Sequence, residues 1–174
     1  MRKIIKNRQI VQDDWQVLKL QEGDVPESPE SVTVPPKSIV PLAVWQAQPG
    51  LHTRADVGVW LASDERPEAL KDAIKQLPVI AVDFPKFADG RGYSTAYNLR
   101  ARLGYTGELR AIGDVLRDQL FYMQRVGFDA FATRPDRSIE DALKGLSDFS
   151  EPYQQSWDIK SPLFRRIARS GAEA

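Results

Sequence analysis

The chain has 174 residues, with 24 Lys and Arg against 24 Asp and Glu and a formal net charge of zero, so no overall basic field is available to hold nucleic acid or an anionic membrane. It has no cysteine and one histidine, His52, which excludes disulfides, a thiol nucleophile, a thiolate-held iron–sulfur cluster and a Cys/His zinc site. A hydrophobic fraction of 42% with no apolar run of membrane-spanning length fits one globular domain, and the N-terminus lacks a signal-peptide core, so a cytoplasmic location is expected.

Residues 3–12 predict a small hairpin, with Ile4-Ile5 and Ile10-Val11 flanking Asn7-Arg8 as a turn pair without glycine. Trp15, Val17, Leu18 and Leu20 suggest another short extended piece. Residues 21–37 are rich in Pro, Glu, Ser and Asp and read as a loop lying on the domain, because they bury too little apolar surface to order themselves. His52 falls in the loop PGLHTRAD, and no G-x-S-x-G elbow accompanies it.

Beyond Ser38, apolar runs with strand character occur at 39–45, 57–62, 79–84, 108–112 and 128–133. Helical faces alternate with them. Ala69, Leu70, Ala73, Ile74 and Leu77 form the first, introduced by Asp64 and Pro67 and stopped before Pro78. Ala96, Leu99 and Leu103 form the second, from Ser94 to Gly104. Leu116, Leu120 and Met123 form the third, with Asp114 as N-cap and Gly127 past the end. Ile139, Ala142, Leu143 and Leu146 form the fourth, opened by Ser138 and Asp141 at capping-box spacing. This alternation predicts an α/β fold, a mostly parallel sheet of about five strands built from consecutive βα units, with a small N-terminal β-hairpin; a partial barrel-like (βα) curl is the alternative. Three stretches result: 1–38, the hairpin and loop packed on the domain; 39–150, the α/β domain; and 151–174, a C-terminal extension. In the last, Leu163, Phe164 and Ile167 lie on one side of a short helix and Arg165, Arg166 and Arg169 elsewhere, suited to packing on its own domain, fraying, or docking on a partner or acidic lipid.

Chemistry concentrates at two strand-to-helix junctions, at the carboxyl ends of parallel strands, where ligands usually bind. In the first, Asp89-Gly90-Arg91-Gly92-Tyr93-Ser94, glycines allow close main-chain approach. Ser94 at a helix N-terminus would leave free N–H groups, and Arg91 offers a fork for carboxylate, phosphate or sulfate. Equally, Asp89 and Ser94 can satisfy the turn while Arg91 pairs with Asp89 or Asp114. Neither a Walker A loop nor G-x-G-x-x-G is present. In the second junction Arg110 needs a partner if buried, and Asp114 or Asp89 is nearest by topology. Asp89 and Asp114 are the candidate catalytic carboxylates; Gly90, Arg91, Ser94, Arg110, Arg117 and Gln119 are the candidate anion ligands. Tyr97 and Phe121 lie opposite their helices' apolar stripes, as a partner or subunit surface or as residues covered by the N-terminal loop.

The segments F-x-x-F-x-D-G-R-G-Y-S, G-E-L-R-A-I-G-D-V-L-R-D-Q and R-x-G-F-D-A-F resemble the bacterial domain-of-unknown-function family 934, over residues 57–142. That family is labelled as oxidoreductases involved in sulfite reduction, and it supplies no catalytic residues to carry over. The resemblance implies an accessory protein working with sulfite reductase or another sulfur-assimilation enzyme, by docking, assembly or electron delivery. Without thiolates the chain can hold no iron–sulfur cluster of its own, although a non-covalent flavin or nicotinamide needs no cysteine. The alternative is a small α/β enzyme or binder for an anionic metabolite, with Arg91 and Arg110 holding the anion. A homo-oligomer is compatible with either.

Overall fold

The continuous apolar runs between turn residues become the centre of a sheet, as expected for strands covered on both faces. The computed structural model describes residues 2–20 and 28–166. Its strands are β1 (Lys3–Lys6), β2 (Gln9–Gln12), β3 (Gln16–Val17), β4 (Ser38–Pro41), β5 (Val57–Leu61), β6 (Val79–Phe84), β7 (Glu108–Gly113) and β8 (Ala130–Phe131). They form one sheet in the order β2-β1-β8-β7-β6-β5-β4-β3. Strands β3 to β8 are parallel, each beside the next in sequence. The β1–β2 hairpin adds to β8 antiparallel, with Ile5 opposite Phe131. Among the described residues there are thus eight strands rather than about five, because the hairpin and residues 16–17 join the sheet instead of resting on it.

The sheet is curled, and chain length shows why it must be. Strands β2 and β3 sit at opposite edges, so a flat sheet would separate them by about 33 Å across seven gaps. Only Asp13, Asp14 and Trp15 connect them, a reach of roughly 14 Å. The partial-barrel alternative therefore describes the architecture. The connection runs across the concave face, where Trp15 packs with Val11, Val17 and Trp60 against Ile4, Ile39, Val79, Ala81, Ile112 and Ala132.

The other face carries the helices α1 (Leu42–Ala47), α2 (Arg91–Ala101), α3 (Arg117–Val126) and α4 (Ile139–Lys144), with α5 (Leu163–Arg166) beyond. Alternation along β6 sends Ile80, Val82 and Phe84 to this side, where they meet Ala96, Leu99, Leu120, Met123 and Ala142. Consecutive neighbours with right-handed crossovers must place all their helices on one face, which leaves the concave face to the N-terminal chain.

Several elements differ from the sequence reading. The apolar run 39–45 divides into β4 and α1, and the run 128–133 contributes only Ala130–Phe131 to the sheet. The face at 69–77 is not an α-helix but a 3-10 turn, Pro67–Leu70, followed by turns whose N–H groups bond three residues back. Leu70, Ile74 and Leu77 still bury, so the apolar spacing satisfied the core without a regular helix. Helix α2 begins three residues before Ser94. Residues 21–27 of the Pro-rich loop, and Ile167 and Arg169 of the tail, lie outside the described residues.

Candidate functional site

At the carboxyl end of β6 the chain turns through 85–90 into α2. Asp89 accepts from the Arg91 backbone N–H at 3.2 Å and grips its guanidinium through Nε at 2.9 Å and Nη2 at 2.6 Å. The Arg91 guanidinium holds the Asp89 carboxyl well below the usual carboxylate range. Asp89 therefore closes the turn and occupies Arg91, the internal pairing open at the sequence level. Gly92 is needed by packing rather than by a ligand, since a Cβ there would lie 2.6 Å from the Phe84 ring. Gly90 keeps a φ of -86° that any residue tolerates. Ser94 is exposed, one turn into the helix.

At the carboxyl end of β7, Gly113 takes φ +92°, and a Cβ would meet the Phe84 carbonyl at 2.4 Å. Two backbones cross there in a conformation side chains resist. Asp114 follows, but it is not the cap of α3, which starts at Arg117. Its carboxylate accepts from the Phe87 N–H at 2.9 Å and from Arg134 at 3.1 Å, lacing the β6 and β8 loops together. Arg134 also binds Asp136 through two nitrogens, which together with Asp114 raises its own proton affinity. The first turn of α3 is closed by Gln119, whose Oε1 accepts from Leu116 N–H at 2.9 Å while its amide reaches the Phe87 carbonyl at 3.3 Å. Arg117 points away, to Asp148 at 2.7 Å.

Arg110 is nowhere near this rim in its bonding. It projects onto the concave face, 1% exposed, where Nη1 meets both oxygens of Asp13 at 2.9 and 3.1 Å and Nε meets Glu108 at 2.7 Å. Lys6 reaches Glu108 from the hairpin at 2.6 Å. Buried Arg110, Asp13 and Glu108 are thus balanced by the half-exposed Lys6, and they fix the 13–15 connection to the sheet. Asp89, Arg91, Arg110 and Asp114 do not pool their charges: the first two bind each other, the third is internal, and the fourth ties two loops.

What does converge lies on the outer surface. A groove of about 640 Å³ runs between α2, α3 and residues 155–160. Tyr93 and Tyr97 are one turn apart on α2, as are Asn98 and Arg102; Tyr122 and Val126 face them from α3, and Gln155, Ser156 and Lys160 form the far wall. The Tyr93 and Tyr122 rings sit 5.1 Å apart. Burial pushes the Tyr93 hydroxyl's pKa up, partly offset by its bond to Gln119. Ser94 and Tyr97, proposed from sequence for an anion and for a partner, both line this groove. Phe121 does not: it packs on Phe149 at 5.0 Å, so among the described residues it is the chain after α4 that covers it. Tyr122, one residue on, is the exposed aromatic. The repeat Tyr93/Tyr97 was a usable signal on one helix; the wall from residues 155–160 had none.

His52 stacks on Trp45 at 4.3 Å and bonds its carbonyl at 2.9 Å. Among the described residues no helix is long and apolar enough to cross a membrane. Compared with known proteins, the chain matches no curated relative. The family model "Bacterial protein of unknown function (DUF934)" matches residues 58–164, the stretch from β5 to α5 that carries both junctions and the groove, and the chain belongs to this family.

Proposed function

We propose that this protein is a non-catalytic accessory factor of sulfite reduction in assimilatory sulfate metabolism, acting by docking on a redox partner. The observation that carries this reading is how the rim carboxylates are committed. Asp89 is held by Arg91, and Asp114 by Arg134 and the Phe87 N–H, so neither is poised between a proton source and an open cavity as general acid–base work requires. The groove between α2, α3 and residues 155–160 presents three tyrosines and Arg102, and tyrosine and arginine are enriched where proteins meet. The pathway is suggested by the sulfite-reduction label that goes with the sequence resemblance; the matching family model is itself described as of unknown function. With no cysteine in the sequence, any iron–sulfur cluster in the electron route belongs to the partner.

The test is affinity capture of the tagged chain, at native expression, from cells growing on sulfate as sole sulfur source. Recovery of a sulfite reductase subunit is expected; a pull-down without any sulfur-assimilation enzyme defeats the reading.

A second reading, a binder of a small anionic metabolite, is favoured by one feature. A cleft of about 370 Å³ beyond β8 gathers Arg2, Lys3, Arg134 and Arg137, against one carboxylate, Glu140, beside Thr133 and Ser138. On this reading the anion would sit away from Arg91 and Arg110. Thermal stabilisation by sulfite, sulfate or phosphate, lost in Arg137→Ala, would select it, since stabilisation follows occupancy.

A further inference from the structure

We infer that the groove between α2, α3 and residues 155–160 receives an extended acidic segment of a partner protein. The inference rests on the docking reading and specifies its chemistry.

The first argument is charge. Arg91, Arg100, Arg110, Arg117, Arg125, Arg134 and Arg166 each hold a carboxylate. Among the described residues Arg102 and Lys160, the latter 3.9 Å over the Trp157 ring, make no ion pair; Arg2, Lys3, Arg66, Lys71, Lys75, Lys86 and Arg165 make none either, so it is position that distinguishes these two. Both line the groove, and no Asp or Glu lines it with them. In a chain whose charges cancel overall, two unneutralised cations flanking one cleft create a local field that selects anions.

The second argument is the lining. Tyr97 and Tyr122 are 42% and 54% exposed, and Tyr122 is braced by Tyr93 beneath it. Rigid aromatic rings bury large area at little entropic cost. Asn98 on α2 and Gln155 on the far wall both line the cleft and carry donor and acceptor groups together, suited to both N–H and C=O of a peptide backbone. Small-molecule pockets are mostly apolar, unlike this hydroxyl- and amide-rich trough. A nucleic acid strand would need cations tracking its phosphates, and two do not make a track.

The probe is a capped synthetic peptide of alternating glutamate and phenylalanine, titrated at low ionic strength into the full chain and followed by backbone amide shifts. Saturable shifts confined to Tyr93, Tyr97, Asn98, Arg102, Gln155 and Lys160 are expected. Arg102→Glu/Lys160→Glu should weaken binding by about tenfold or more, as loss and reversal of two exposed ion pairs implies, while Arg2→Glu/Lys3→Glu should leave it intact. Tyr97→Ser, a milder change, should weaken binding without altering its salt dependence. Absence of saturable shifts, equal loss in Arg2→Glu/Lys3→Glu, or preference of the groove for an oligothymidylate of matched length overturns the inference. If the captured sulfite reductase is retained equally by Arg102→Glu/Lys160→Glu, the groove inference falls and the accessory role stands. If the peptide binds as described but capture fails, the groove stands and the sulfite-reduction assignment falls.

Discussion

Replacing Asp13 by asparagine leaves the Arg110 guanidinium, 1% exposed, with Glu108 as its only remaining acid, and Glu108 already shares its charge with Lys6. The quartet passes from neutral to net positive, with Arg110 held out of water and Lys6 half-exposed at its edge. Removing one partner of a buried pair costs about 3–5 kcal/mol; because Glu108 still balances part of the charge, the lower end, about 3 kcal/mol, is the figure to expect. That is a large share of the roughly 5–15 kcal/mol that stabilises a domain. With a urea slope of about 2 kcal/mol/M the unfolding midpoint should fall by about 1.5 M. The companion variant Asp13→Leu/Arg110→Met removes both charges and leaves Lys6 and Glu108 paired, so it should recover most of the loss, as apolar replacements of buried ion pairs do. Urea denaturation followed by tryptophan fluorescence measures all three proteins. A cost for Asp13→Asn below about 1 kcal/mol, or a double variant no more stable than the single, refutes the claim that this carboxylate balances the guanidinium.

Gly92→Ala pushes a Cβ to within 2.6 Å of the Phe84 ring and should cost about 1–3 kcal/mol of overpacking, read as a lower Tm; an unchanged Tm contradicts the contact. Burial lifts the Asp129 carboxyl above its ordinary value against the pull of Arg100 and the Leu109 N–H. The stability linked to its proton is full below the unfolded pKa and lost as pH rises through the folded one. Asp129→Asn should therefore gain on the native protein as pH rises from about 4; a carboxyl titrating below that value by NMR removes the effect. Phe149→Ala uncovers Phe121, whose ring it meets at 5.0 Å, and should speed limited proteolysis after residue 145 with little change in the core melt.

The strand at 79–84 was legible because a strand covered on both faces reads as a mostly apolar run between turn residues, that at 108–112 because Leu109 and Ala111 alternate with Glu108 and Arg110, and Gly127 because its φ of +119° needs glycine. The pairing of Arg110 was legible only in part. One of its acids, Glu108, lies two residues back on the same face of β7 and was overlooked; the other, Asp13, is 97 residues away, and nothing local says that the connection after a hairpin will cross the concave face. Asp114 was misplaced as a cap for a physical reason. Val115 continues the pairing, its carbonyl accepting from Arg134 N–H at 3.1 Å, so α3 starts late and the aspartate is free to take the Arg134 side chain. Half of the groove followed from helical spacing on α2. The other half comes from residues 155–160, whose composition shows no periodicity, and helical spacing on α3 could not foresee Phe149 folding back over Phe121.

The three-residue crossing at Asp13–Trp15 also bears on what can be cut away. Excising the first fifteen residues would not trim a margin of the barrel. It would strip Arg110 of Asp13 and Glu108 of Lys6 and remove Ile4, Val11 and Trp15 from the concave cluster, opening the hoop with a naked charge at its centre. A fragment limited to the stretch shared with the family, 58–164, would lack these contacts together with β3 and β4, and is expected to melt at a lower temperature than the whole chain or without a cooperative transition.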